Sequence, residues 1–131
     1  MEVRMDGRKA IITGGSAGLG MAMAMEFNRS GADVAIVGRR KEALSVAEEK
    51  IQSVGGGKII AIAADIRQTH DCEQVLSKAV QELGAIDILV NNAGTSQRGE
   101  FLEISDELWQ DDLDLKLFAA VRLSRLVIPG M

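Results

Sequence analysis

Apolar residues fall in two alternating rhythms along this chain. Short, almost wholly apolar runs occupy Lys9–Thr13, Val34–Val37, Lys58–Ala63 and Ile86–Val90. Between them, apolar residues recur every third or fourth position over Gly18–Ser30, Lys41–Val54, Thr69–Leu83 and Asp106–Ile128. The first rhythm predicts strands and the second predicts helices. Gly31, the triplet Gly55-Gly56-Gly57, Gly84 and Pro129-Gly130 mark the helix ends. Thr69 is placed to cap the third helix, whose buried face is read as Cys72, Val75, Leu76, Ala79, Val80 and Leu83. The strands show no polar alternation, which is how parallel strands covered on both faces read.

Strands alternating with helices imply right-handed crossovers and a Rossmann-like, doubly wound α/β sheet. The expected spatial order is 3-2-1-4, with a ligand crevice at the carboxyl ends of strands 1 and 4. The chain's 131 residues make one domain by size, and 47% hydrophobic residues suffice for a core. The net charge of −4, with no basic run longer than Arg39-Arg40-Lys41, argues against a nucleic-acid binder. A single cysteine, Cys72, fits a reducing cytoplasm. No apolar stretch reaches the ~18 residues of a membrane span, and Met1–Asp6 lacks the apolar core of a signal peptide. One histidine and one cysteine argue against a structural zinc site. His70 is expected on the surface and Cys72 in the core, and neither has an orienting partner for nucleophilic catalysis.

Candidate chemistry gathers after the strands. Thr13-Gly14-Gly15-Ser16-Ala17-Gly18-Leu19-Gly20 joins the first strand to the first helix. Glycines there let backbone N–H groups approach a phosphate at the positive end of the helix, and the Thr13 hydroxyl can tie the loop down. Gly38-Arg39-Arg40 follows the second strand. A site selective for NAD usually carries an acid there for the ribose 2′-hydroxyl; two guanidinium groups suit a 2′-phosphate instead. NADP(H) is therefore expected over NAD(H). Cations at a helix N-terminus also oppose its dipole, which favours a ligand anion between them. Asp65, with Ile66 after the third strand, either accepts a hydrogen bond from an adenine amine or serves as a turn or cap residue. Asn91-Asn92-Ala93-Gly94 follows the fourth strand, where small residues admit a ribose and asparagine amides can stitch strand ends together.

In order and spacing, Thr13-Gly14-x-x-x-Gly18-x-Gly20, Asp65-Ile66, Asn91-Asn92-Ala93-Gly94 and the later Trp109 resemble the short-chain dehydrogenase/reductase family over Gly7–Gly130. The resemblance implies that the loop around Ser16 and Leu19 binds a pyrophosphate. It implies that Arg39 and Arg40 hold a 2′-phosphate, that Asp65 and Ile66 meet the adenine, and that Asn92, Ala93 and Gly94 meet the nicotinamide-side ribose. It further implies hydride transfer between the nicotinamide and a carbonyl or secondary alcohol.

Two departures stand out. The family usually has an asparagine seven residues after the tryptophan, part of a proton relay, and here that position is Lys116. Leu113, Leu115, Leu117, Phe118 and Val121 around it place Lys116 near the core side. By the resemblance, the family's catalytic Ser, Tyr and Lys lie beyond position 131, and this chain contains no tyrosine. The chain is thus expected to be the cofactor-binding half of a longer enzyme; the alternative is a non-catalytic dinucleotide-binding or regulatory module. Strand 4 would form a sheet edge, and Leu117, Phe118, Val121, Leu123, Leu126, Val127 and Ile128 would give the last helix an apolar face. A homo-oligomer through that helix is expected.

Overall fold

The computed structural model describes residues 1–95 and 99–131. Four parallel strands, β1 (Lys9–Thr13), β2 (Asp33–Gly38), β3 (Ile59–Ala63) and β4 (Ile88–Val90), lie in the order β3-β2-β1-β4, as the apolar pattern predicts. Helices α1 (Gly18–Arg29), α2 (Lys41–Gln52) and α3 (Thr69–Leu83) make the crossovers. After β4 come α4 (Asp106–Leu113), a π-helical turn (Asp114–Phe118), α5 (Ala119–Val127) and a 3-10 turn (Ile128–Gly130). The expected loop from Asn91 to Ser105 includes positions 96–98, which lie outside the described residues.

Successive strand residues feed opposite layers. Ile11, Ala35, Val37 and Ile62 pack with Cys72, Val75, Ala79, Leu123 and Val127 beneath α3 and α5. Ile12, Val34, Ile36 and Ile59 pack with Ala24, Leu44, Ala47 and Ile51 beneath α1 and α2. Both faces of the central strands β1 and β2 are therefore buried, and β3 and β4 are partly covered, so the strands need no polar side. Ladder ends are finished by carboxylates. Lys58 N–H donates to Asp33 Oδ1 at 2.8 Å, and Lys9 N–H donates to Asp87 Oδ2 at 2.9 Å. Strands β3 and β4 start one and two residues later than the apolar runs suggest. Asn28, fully buried, donates its amide to Gly57 O at 2.7 Å and so anchors the glycine turn that leads into β3.

Several expectations are corrected. Helix α2 ends at Gln52 rather than Val54. Thr69 is the first helical residue rather than a cap, and no side chain caps α3. Val80 is exposed because it falls to one side of the stripe formed by Cys72, Val75, Ala79 and Leu83. The last helix is not continuous: a π turn interrupts it. Leu123 and Val127 do not belong to an outward face, because they are buried against α3 within this chain. Leu117, Phe118, Val121 and Ile128 do stand exposed.

Ile11 is fully buried in the central strand. Ile11→Ala is expected to cost about 2–5 kcal/mol of stability. The half-exposed Val46→Ala should stay within about 0.5 kcal/mol. Urea unfolding of both variants checks the layer assignment.

Candidate cofactor site

The carboxyl ends of β1 and β4 are tied by one small knot of hydrogen bonds. The buried Thr13 hydroxyl accepts from Asn92 N–H and Ala93 N–H, both at 3.0 Å, and donates to Val90 O at 3.3 Å. The Asn92 amide donates back to Thr13 O at 3.1 Å and Gly14 O at 3.3 Å. The tie-down role of Thr13 and the stitching role of an asparagine are both borne out. Thr13 thus acts from behind the cleft surface.

The glycines explain how the loop passes this knot. Gly14 has φ +67°, and a methyl on it would sit 2.9 Å from Asn92 Nδ2. A methyl on Gly20 would run into the Gly14 carbonyl. Gly18 has φ +54° and faces open space at the start of α1. That helix begins with no side-chain cap and no acid in its first turn. Its unpaired N–H groups and positive dipole end therefore point toward an anion.

In front of the loop opens a cleft of about 380 Å³, within the usual range for small-molecule sites. Its walls include Gly14, Ser16 and Gly18 from the first loop, and Arg39 and Arg40 from the end of β2. Asp65 and Ile66 line it from the end of β3, and Asn92, Ala93 and Gly94 from the end of β4. The structure thus brings most of the expected residues to one cleft. Leu19 is exposed on α1 beside it, and Gly20 is buried under the loop. Arg39 and Arg40 are both exposed at the start of α2.

Asp65 shows the turn role directly. Its carbonyl accepts from Gln68 N–H at 2.9 Å, and its Oδ1 accepts from Arg67 N–H at 3.2 Å. Its carboxylate is also held by the Arg67 guanidinium, with Nε–Oδ1 at 2.9 Å and Nη2–Oδ2 at 2.8 Å. The Arg67 hydrogen bonds hold the Asp65 carboxyl below its ordinary value, against partial burial and with help from Arg39. Arg67 was not singled out from the sequence; an arginine two residues after a strand-end aspartate was its only signal.

Lys116 is corrected. It is exposed rather than core-facing, with Nζ 3.0 Å and 3.2 Å from the two Asp112 oxygens. Leu113, Leu117, Phe118 and Val121 are themselves exposed, so these apolar neighbours do not bury it. Leu115 alone of that group turns inward, where it lines the cleft. His70 is exposed beside Gln74, whereas Cys72 is buried with Sγ 3.2 Å from Ile66 O. Burial raises the Cys72 thiol above its usual value, away from a reactive thiolate.

A glycine loop and an uncapped helix at the switch point of a parallel sheet define a nucleotide-binding α/β protein. The comparison with known proteins narrows this. The chain belongs to the short chain dehydrogenase family, whose profile matches residues 8–131. A short chain dehydrogenase of Pseudocercospora fijiensis is 35% identical over 130 residues, covering 98% of this chain and 42% of that protein. The uncharacterized oxidoreductase YvrD of Bacillus subtilis is 34% identical, covering 100% of this chain and 49% of that protein. Among solved structures, L-sorbose reductase from Gluconobacter frateurii, complexed with NADPH and L-sorbose, superposes with a TM-score of 0.95 at 36% identity. That match covers 100% of this chain and 50% of the reductase. The NADH-dependent reductase A1-R′, complexed with NAD, superposes with a TM-score of 0.87 at 31% identity, covering 95% of this chain and 52% of its own. The chain therefore spans about half the length of the relatives it matches. Among the described residues, no helix is long and apolar enough to cross a membrane.

Two measurements probe the site's framework. Thr13→Val takes the acceptor from Ala93 N–H and leaves Asn92 N–H only its bond to Val90 O at 3.1 Å, and is expected to cost about 1–3 kcal/mol, read by urea unfolding. Thr13→Ser should keep most of the stability. The second concerns acid. A carboxyl with a lowered folded pKa contributes stability that is complete above its unfolded value, about 3.9, and is lost as pH falls through the folded value. The stability gap between the protein and Asp65→Asn should be open near neutrality and narrow in acid below about pH 4. A gap indifferent to acid would contradict the ion pair.

Proposed function

We propose that this chain is the NADP(H)-binding part of a short-chain dehydrogenase/reductase that transfers hydride between the nicotinamide and a carbonyl or secondary alcohol. The observation that carries the proposal is the composition of the cleft walls. An uncapped helix end faces it at the first loop, and two exposed arginines, rather than an acid, face it at the end of β2. One solved neighbour carries NADPH and another NAD, so cofactor choice rests on this chain's own residues.

The residues fit the group. The N–H groups around Ser16 and Gly18 meet the pyrophosphate, with Leu19 on the next turn. Arg39 and Arg40 neutralise the 2′-phosphate by charge-assisted hydrogen bonds. That phosphate in turn relieves the opposition between the two cations and the α2 dipole. Asp65 and Ile66 meet the adenine, and Asn92, Ala93 and Gly94 form the floor beneath the nicotinamide-side ribose. The cofactor supplies the hydride when bound, and this chain orients it. The exposed Leu117, Phe118, Val121 and Ile128 support a contact between copies through the last helix.

Titration with NADPH and NADH by fluorescence or calorimetry tests the reading. NADPH is expected to bind at least about tenfold more tightly, a difference of about 1.4 kcal/mol. The double variant Arg39→Ser with Arg40→Ser should abolish the preference by weakening NADPH and leaving NADH unchanged. Equal affinities in the unsubstituted protein overturn the NADP(H) assignment, and absence of both overturns the nucleotide assignment. Turnover of carbonyl compounds by the full-length protein with NADPH separates the reductase from a non-catalytic nucleotide-binding module.

A further inference from the structure

We infer that Arg67 is a positioning residue for the adenine end of the cleft, acting through Asp65 and anchored to α4. This rests on the nucleotide reading above and adds a residue to it. Arg67 does not line the main cleft. It lies behind Asp65, in a small cavity of about 60 Å³ shared with Arg39, Thr95, Asp111 and Leu115. From there its guanidinium grips the Asp65 carboxylate in a two-pronged contact, 2.9 Å at Nε–Oδ1 and 2.8 Å at Nη2–Oδ2. Parallel pairs of this kind fix orientation as well as charge. The side chains are only 25% and 27% exposed, so water screens the pair less than it would a surface pair.

Arg67 is itself held from two further directions. Its Nη1 lies 3.5 Å from Asp111 Oδ2 on α4. Its carbonyl accepts from Arg122 Nη1 on α5 at 3.0 Å, and the Arg122 guanidinium lies 5.7 Å over the Phe118 ring. The turn after β3 is thereby hung on the last helical segment, at two points on either side of the π turn. Asp71 adds a third restraint from α3, its Oδ2 accepting Asp65 N–H at 2.6 Å. With Asp65, Asp71 and Asp111 converging, Arg67 is the cation in direct contact with two of the three carboxylates.

Occupation by Arg67 leaves room for a ligand. Oδ1 receives two N–H groups of Arg67, at 2.9 Å and 3.2 Å. Oδ2 has one short contact, at 2.8 Å, and a longer one at 3.3 Å from the Nε that Oδ1 already engages. Each carboxylate oxygen offers two lone pairs, so Oδ2 keeps one direction for an exocyclic amine. Arg67 thus presents a single, ionised, pre-oriented acceptor to the adenine. Without the Arg67 side chain the carboxylate keeps only the N–H of residue 67 at Oδ1 and loses the fork that fixes its plane. The consequence is local: among the described residues, the hydrogen bonds of Arg67 and Asp65 run to each other and to Asp71, Gln68 and Arg122, and not to the phosphate loop or Asn92.

The test compares ligands that do and do not carry the adenine end. NADPH and adenosine 2′,5′-bisphosphate carry it, whereas reduced nicotinamide mononucleotide does not. Arg67→Met is expected to weaken NADPH and the bisphosphate by about tenfold, the loss of one good charged contact. It should leave the mononucleotide unchanged. Arg67→Lys keeps the charge but not the fork and should recover only part of the loss. It also serves as the milder variant if the methionine form folds poorly. Arg67→Met in an Asp65→Asn background should cost little more, because both act through one contact. Unchanged NADPH binding in Arg67→Met overturns the inference. Equal weakening of all three ligands also overturns it, since that marks general loosening. If the unsubstituted protein binds neither NADPH nor the bisphosphate, the nucleotide reading itself fails and takes this inference with it.

Discussion

The Thr13 hydroxyl is the point on which the cleft is built. Neighbouring parallel strands diverge where their loops leave the sheet, and at a switch point the two loops leave toward opposite faces. A gap opens there unless something spans it. Thr13 spans it with one oxygen that accepts two backbone N–H groups of the β4 loop while donating to the end of β4 itself. Asn92 returns two hydrogen bonds to the β1 loop. The gap becomes a floor of fixed backbone rather than a fissure. Because the floor must lie against backbone, the first loop has to be glycine where it crosses Asn92, and the close contact at Gly14 shows how little space remains.

From that floor the division of labour across the sheet follows. Strands β1 and β2 are buried on both faces and β3 and β4 are partly buried, which leaves little room for polar chemistry on the sheet itself. Polar groups are confined to the strand ends, and the two ends differ. At the amino ends, Asp33 and Asp87 spend their carboxylates on closing the ladders. At the carboxyl ends, backbone N–H groups, arginines and Asp65 are left facing open space. One edge is thus consumed by structure, and the other is available for a ligand.

Much of this was legible from apolar periodicity and glycine placement, because both reflect local rules. Parallel burial demands unbroken apolar runs, and a strand-to-helix turn that approaches a phosphate demands glycine. The strand order and most of the cleft residues could therefore be read in advance. The failures share a different cause. Lys116 was read inward because its sequence neighbours are apolar, yet whether an apolar helix residue is covered depends on what packs there. In this structure Leu123 and Val127 are buried against α3, whereas Leu117 and Phe118 stay exposed. Arg67 is not legible in advance because the contacts that anchor it, to Asp111 and Arg122, lie more than forty positions away in the chain. Periodicity carries no information about such pairs.

The π turn explains why the last helical segment was the hardest to read. A π turn takes in one more residue than an α turn, so the stripe that faces the core changes phase across it. Before the turn, α4 has no buried residue; after it, Ala119, Leu123 and Val127 are buried in regular α spacing. Leu115, within the turn, reaches the cleft, while Lys116 beside it swings outward to Asp112. Leu117 and Phe118, in the same turn, are exposed two and three residues after Leu115 on the cleft wall. Whatever chain segment covers that surface is therefore set close to the cleft as well, so the packing of the last helix and the shape of the site are not independent.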